Sequence, residues 1–249
     1  MQAMSDDGPG RCVTYSIIPT EGGRPGLVAR GEDVTVSRTR PAMLLRHLVW
    51  SINRQVIDCA ADRGVVMHAA GAVIEGMAIV LPAQMQAGKT TLVAGLLDRG
   101  AAYLTDEAAR FTDDLQLEGF PKPLSIDRGS WAVLAHRRPR LPPTMMDYHA
   151  SQWQLPPASF ASVVRSAPLG AVVFPEYVWQ APTALRAVRP AEALERAVRC
   201  TFAPTMGRVS IDKVRRIAAV LAAVPCYTLT SGSLDEACAA ILDLPRAAP

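Results

Sequence analysis

Residues 65–83, VVMHAAGAVIEGMAIVLPA, are two apolar runs broken only by Glu75-Gly76, and they lead straight into QMQAGKTT. Apolar runs without polar alternation read as strands buried on both faces, here joined by a tight turn. The stretch KTTLVAGLLD from Lys89 to Asp98 has a helical pattern closed by Gly100, and AYLTD then returns as a short strand. Strand, loop, helix and strand in this order restrict the chain to an α/β fold with a short loop at the end of a buried strand.

That loop matches G-x-x-x-x-G-K-[ST] over Ala83, Gln84, Met85, Gln86, Ala87, Gly88, Lys89 and Thr90, with alanine in place of the first glycine. An upstream strand aims such a loop, and the unpaired amides of the following helix face an anion. Gly88 would let the backbone approach phosphates, Lys89 would reach the β and γ oxygens, and Thr90, followed by Thr91, would offer a hydroxyl to Mg²⁺. The opposing reading is a strand-to-helix turn with a solvated lysine. A Cβ at Ala83 disfavours a positive φ there, so the loop is expected to enter with ordinary backbone angles or with some strain.

Asp106-Glu107 follows the short strand after the helix, where a carboxylate could hold a metal or accept a proton from an attacking hydroxyl. His68 sits in an apolar strand, a costly place for a titratable ring unless it is hydrogen-bonded. It is either a satisfied core histidine or a neighbour of the acidic pair. The chain has three lysines among its 26 cationic residues, Lys89, Lys122 and Lys213. Lys122 and Arg128 could contact phosphates or be ordinary surface charge. Trp131 and Trp153 read as packing residues.

Elsewhere the pattern predicts an N-terminal β layer, with β-branched runs at 13–18 and 27–38 and a Gly31-Glu32-Asp33 turn, followed by an amphipathic helix over 41–61. A strand is expected at 116–120, a turn-rich segment over 121–131, and an irregular run at 137–143. The last third reads as a strand at 170–174, helices near 191–202 and 211–224, a strand at 226–229 and a helix at 234–242. At 249 residues a single domain is expected.

Composition removes several function classes. A formal charge of +3 lacks the dense positive field that nucleic-acid binding needs. The apolar windows at 69–83 and 217–224 fall short of the ~20 residues that span a bilayer. Five scattered cysteines without a C-x-x-C pair suggest neither a disulfide scaffold nor a zinc site. With no secretory pattern in MQAMSDDGPG, a cytoplasmic protein is expected. No G-x-S-x-G elbow supports Ser-His-Asp chemistry.

The segments MHAAG, LPAQMQAGKTTLVAGLL, AYLTDEAA, PKPLSIDRGSW and VPCYTLTSGSLDEA resemble, in order and spacing, the HPr kinase-like P-loop proteins, in particular small bacterial relatives found beside peptide-modification genes. The resemblance covers about residues 40–245 and is strongest over 65–131. It implies a P-loop core of the HPr kinase and phosphoenolpyruvate carboxykinase type, here carrying an N-terminal β segment (1–40) and helix. It also implies transfer of the γ-phosphate of ATP, with Mg²⁺, to a serine or threonine hydroxyl of a small protein or ribosomally made peptide. Lys89 and Thr90 then take the nucleotide and metal roles, Asp106 the role of base, and His68 assists; a homo-oligomer is implied as well.

The family carries glycine and serine where Ala83 and Met85 stand, two aspartates where Asp106-Glu107 stand, and a later acidic metal signature not located here. Regulation, phosphorolysis and HPr as substrate are therefore not carried over. Two rivals remain: an ATP-binding accessory protein that transfers nothing, and a kinase for a free small molecule.

Overall fold

The computed structural model describes residues 15–19, 25–29, 35–37, 41–140, 152–203 and 209–244. In chain order the elements are β1 (Tyr15–Pro19), β2 (Pro25–Ala29), β3 (Thr35–Ser37), α1 (Pro41–Arg63), β4 (Val65–Ile74), β5 (Met77–Pro82), α2 (Lys89–Leu97), β6 (Ala102–Thr105), β7 (Ala108–Phe111) and β8 (Gln116–Gly119). They continue with β9 (Leu124–Asp127), β10 (Gln152–Leu155), β11 (Ser166–Tyr177), β12 (Ala184–Ala187), α3 (Pro190–Arg199), α4 (Ile211–Ala223), β13 (Cys226–Ser231) and α5 (Leu234–Leu242). This is a mixed α/β protein with one large sheet.

The chain groups into two compact units, Met1–Gln55 with Pro142–Tyr148, and Val56–Leu141 with His149–Pro249. In the first, β1, β2 and β3 pair antiparallel, with Tyr15 opposite Ala29 and Leu27 opposite Val36. The Gly31-Glu32-Asp33 turn lies outside the described residues, but the strands on either side of it pair as a hairpin should. Within α1, Leu44 is buried whereas Trp50 is 60% exposed.

The second unit holds a sheet of order β12-β13-β11-β5-β4-β7-β8, with β6 also beside β4. Its centre is the hairpin read from residues 65–82: β4 and β5 pair antiparallel, Ala69 opposite Pro82 and Ile74 opposite Met77. Side chains alternate between the two faces. Ala70, Ala72, Ile74, Ile79 and Leu81 pack in one core with residues of α2 and α5, while Val65, Met67, Ala69, Val73, Ala78 and Val80 pack in another with residues of α3 and α4. Burial on both faces is why these strands read as unbroken apolar runs.

β11 runs parallel to both β5 and β13. β6 is antiparallel to β4, which is antiparallel to β5, so β6 has the direction of β5. The C-terminal ends of β5, β6, β11 and β13 therefore share one edge of the sheet, and ligands of open α/β sheets gather at such an edge.

The structure extends the sequence reading in several places. β11 has twelve residues rather than the expected five, because its first residues, Ser166–Pro168, pair with β8 while its C-terminal half pairs with β13. The turn-rich segment 121–131 contains a strand, β9, held by β10 from 25 residues beyond it. β7 and β12 were also not anticipated. The irregular run 137–143 is described as far as Arg140 and carries the end of a 3-10 turn, Ala135–Arg137; residues 141–143 lie outside the described set. The expected helix over 234–242 is α5.

Candidate functional site

The loop after β5 ends on Gly88, which caps α2 with φ 86°, a left-handed conformation that glycine adopts without penalty. Glycine offers this helix no capping side chain, and its first turn holds no acidic residue. Its leading amides are therefore left for an anion, as a phosphate loop requires. Ala83 is not among the described residues with positive φ; that conformation falls instead on Gln86, at φ 66°. The alanine that replaces the motif's first glycine thus enters without a positive φ, the first of the two expected alternatives.

Lys89 is not a solvated surface lysine. It is 6% exposed, and its Nζ donates to Ala83 O at 2.8 Å and Gln84 O at 2.7 Å. Burial lowers its pKa, with the nearby Asp106 charge opposing the shift. The loop is also tied to the end of α3, where Gln84 Nε2 donates to Arg199 O at 2.8 Å.

Asp106 and Glu107 form the turn between β6 and β7. Thr105 holds this turn, its hydroxyl donating to Ala108 O at 2.8 Å. Asp106 is 4% exposed, and burial pushes its carboxyl above the usual range. Lys122, the Thr90 hydroxyl and the Ser125 amide, which donates to Oδ2 at 3.3 Å, oppose that rise. Among the described residues, Asp106 Oδ1 is buried without a hydrogen-bond partner. Thr90 and Asp106, read from separate motifs, thus meet.

His68 is brought to the same place by register, since it lies opposite Ala108 of β7 and next to Ala69, which faces Pro82 at the loop's entrance. Its Nδ1 lies 3.1 Å from Glu107 O and 3.7 Å from Glu107 Oε1. A carbonyl only accepts, so Nδ1 carries the proton and Nε2 holds the lone pair. Burial, then the Lys89 charge, lowers the ring's pKa and favours its neutral form. The ring also makes an edge contact with Phe202.

Sequence left Lys122 open between phosphate contact and surface charge, and the structure buries it. Its Nζ lies 3.6 Å from Asp106 Oδ2 and 3.5 Å from Glu107 Oε2, and donates to Ser125 Oγ at 3.1 Å and Pro123 O at 3.2 Å. Trp131 and Trp153 pack as expected, stacked at 4.9 Å between ring centroids. Cys200 lies beside the loop, its thiol pushed up by burial and thus kept protonated.

A cleft of about 680 Å³ opens on the loop. Gln86, Ala87, Gly88, Lys89, Thr90 and Thr91 line it, with Ser125, Arg128 and Ser130 on one wall and Tyr177, Trp179, Gly232 and Leu234 on another. Ala83, Gln84, Met85, His68, Asp106, Glu107 and Lys122 do not line it; Thr90 and Ser125 connect the cleft to the Asp106 cluster. Sequence reading missed Ser125, Ser130, Tyr177 and Trp179. An aromatic pair next to a strand end was a usable signal for the last two.

No family model and no curated protein matches the chain. Among solved structures, the HPr(Ser) kinase/phosphatase from Coxiella burnetii overlaps 71% of this chain and 92% of its own at 12% identity, with a TM-score of 0.34. Overlap at that level is a distant likeness and fixes neither fold family nor function.

Proposed function

We propose that the protein is an ATP- and Mg²⁺-dependent phosphotransferase that moves the γ-phosphate onto a serine or threonine hydroxyl of a small protein or ribosomally made peptide. The observation that carries this reading is the placing of a buried carboxylate, Asp106, from the neighbouring strand end beside the loop that opens α2, whose own Lys89 is buried against the loop carbonyls and whose Thr90 is near enough to favour the ionised carboxylate. A phosphate loop alone would support nucleotide binding. A carboxylate next to its hydroxyl adds a group that can serve at the transferred phosphate.

The residues fit a magnesium ion. Among the described residues Asp106 Oδ1 is a buried oxygen without a hydrogen-bond partner, and the Thr90 hydroxyl acts on that carboxylate. Magnesium prefers oxygen donors and takes one or two carboxylates plus phosphate oxygens and water. Among the described residues no group of three or more His, Cys, Asp or Glu could hold a metal, so phosphate oxygens would complete the shell. When bound, the ion would neutralise charge building on the phosphate oxygens.

In this reading the loop amides and Lys89 hold the polyphosphate. The acceptor oxygen bonds to the γ-phosphorus as the bond to the β-γ bridging oxygen breaks, releasing ADP. The hydroxyl proton passes to Asp106, with His68 Nε2 as the neighbouring neutral acceptor. The acceptor class follows the sequence resemblance.

One observation favours the accessory reading: Lys122 places an ammonium near both carboxylates and already offsets part of their charge without a metal. The experiment is intact-mass analysis of peptides encoded beside the gene after incubation with Mg-ATP, with Lys89→Ala as control. A phosphate-sized gain that vanishes in the variant supports transfer. ATP binding without a gain on any peptide moves the assignment to the accessory protein or a small-molecule kinase.

A further inference from the structure

Sheet order separates two sides of the phosphate loop. β4 and β6, on one side of β5, carry His68 and lead into Asp106, whereas β11 and β13, on the other, lead to Tyr177 and Ser231. If the reactive end of a nucleotide lies toward Asp106, its base lies toward the ends of β11 and β13.

At that end stands Trp179, 73% exposed on the cleft wall, with Tyr177 at 56%. An indole left in water beside a cleft is unused apolar surface with a flat π face. Tyr177 abuts the loop, since a Cβ built on Gly88 would lie 3.5 Å from Tyr177 Cβ. Two residues span at most about 7 Å, so Trp179 is within one nucleotide's reach of the phosphate site.

The ring is carried by a built turn. Val178 N donates to Ser231 O at 3.1 Å, Ala181 N to Val178 O at 3.0 Å, and Gly232 N to Ala181 O at 3.1 Å. A Cβ on Gly232 would come within 2.8 Å of Gln180 N, Ala181 N and Val178 O, so the turn seats only on glycine. Leu229, Leu234 and Ala237 line the cleft at the same end.

We propose that Trp179, held by the 178–181 turn on Gly232, is the platform on which the nucleobase of the bound nucleoside triphosphate stacks. This deepens the proposed function and rests on its assignment of the loop to a polyphosphate. Stacking reads the π face of a base, so the contribution is to affinity for the nucleoside part alone.

The test is calorimetric titration of the full chain with Mg-ATP and, separately, with inorganic tripolyphosphate. Trp179→Ala, at an exposed position, is expected to weaken ATP about 5- to 100-fold, with tripolyphosphate within twofold of wild type and Trp179→Phe retaining most of the affinity. Gly232→Ala should repeat the pattern by displacing the turn. The inference is overturned if Trp179→Ala binds ATP like wild type while Lys89→Ala does not bind, an outcome that leaves the proposed function standing. It is also overturned if Trp179→Ala weakens both ligands equally. If wild type binds neither, the nucleotide reading itself fails and takes the inference with it.

Discussion

The ammonium of Lys122 and the carboxylate of Asp106 lie 3.6 Å apart in the protein interior, at 7% and 1% side-chain exposure. Neither charge is adequately solvated by water, so each depends on the other. Removing one partner of such a pair leaves a buried charge uncompensated, at about 3 kcal/mol or more. Lys122→Met is therefore expected to destabilise the chain by about that amount in urea denaturation. Adding Asp106→Asn should recover at least half of the loss, because the orphaned charge goes with it. A double variant no more stable than Lys122→Met would show that the two charges are not coupled.

Tyr103 fixes the segment that carries Lys122. Its hydroxyl is buried and donates to Lys122 O at 2.8 Å, linking β6 to the start of β9. Tyr103→Phe leaves that carbonyl without its donor, at about 1–3 kcal/mol. The same change loosens Lys122 and Ser125, both of which approach Asp106. Thermal unfolding is expected to show the modest stability loss, and phosphotransfer on the best peptide should fall while ATP affinity stays within a few fold. Equal losses in affinity and turnover would point to a general disturbance of the loop.

Lys89 acts on the loop before any ligand arrives. Its Nζ bonds two carbonyls, Ala83 O and Gln84 O, and gathers the entrance of the loop onto the helix. Lys89→Ala should thus abolish Mg-ATP binding and also cost about 1–3 kcal/mol in urea, since it strips the donor from the buried Ala83 carbonyl and the half-buried Gln84 one. Lys89→Arg, whose planar fork does not reproduce a compact ammonium, is expected to restore stability more than binding.

The parts legible in the sequence were those fixed locally. The β4–β5 pair announced itself because burial on both faces removes polar alternation, and α2 and α5 carry their own boundary residues. β9 was hidden because residues 121–131 contain two prolines and a glycine, and only pairing with β10 from beyond residue 151 makes a strand there. Lys122 was unreadable for a similar reason: its burial depends on Tyr103, Asp106 and Ser125, which converge only after the sheet forms. Thr90 and Asp106 were each legible as candidate metal-directed groups, while the separation of the Asp106 side of the loop from the aromatic end of the cleft required the order β11-β5-β4, which no periodicity encodes.

The pH response isolates His68. Burial and the Lys89 charge lower its pKa from the ordinary 6.5, so below about 6.5 the unfolded chain binds a proton that the folded chain resists. Stability supplied by the neutral ring is complete above that pH and is lost as pH falls toward the lowered folded value. Asp106 acts with the opposite sign: its folded pKa is raised from 3.8, so its contribution is complete below that value and is lost as pH rises through the folded one. Acidification from pH 7 to 5.5 therefore crosses the His68 window, while any Asp106 response there would add stability. Urea midpoints at the two values should fall in wild type and fall less in His68→Gln, which retains hydrogen-bonding capacity but cannot take the charge. Equal drops in both proteins would remove His68 as the source of the acid sensitivity, and with it the argument that its Nε2 is kept free of a proton.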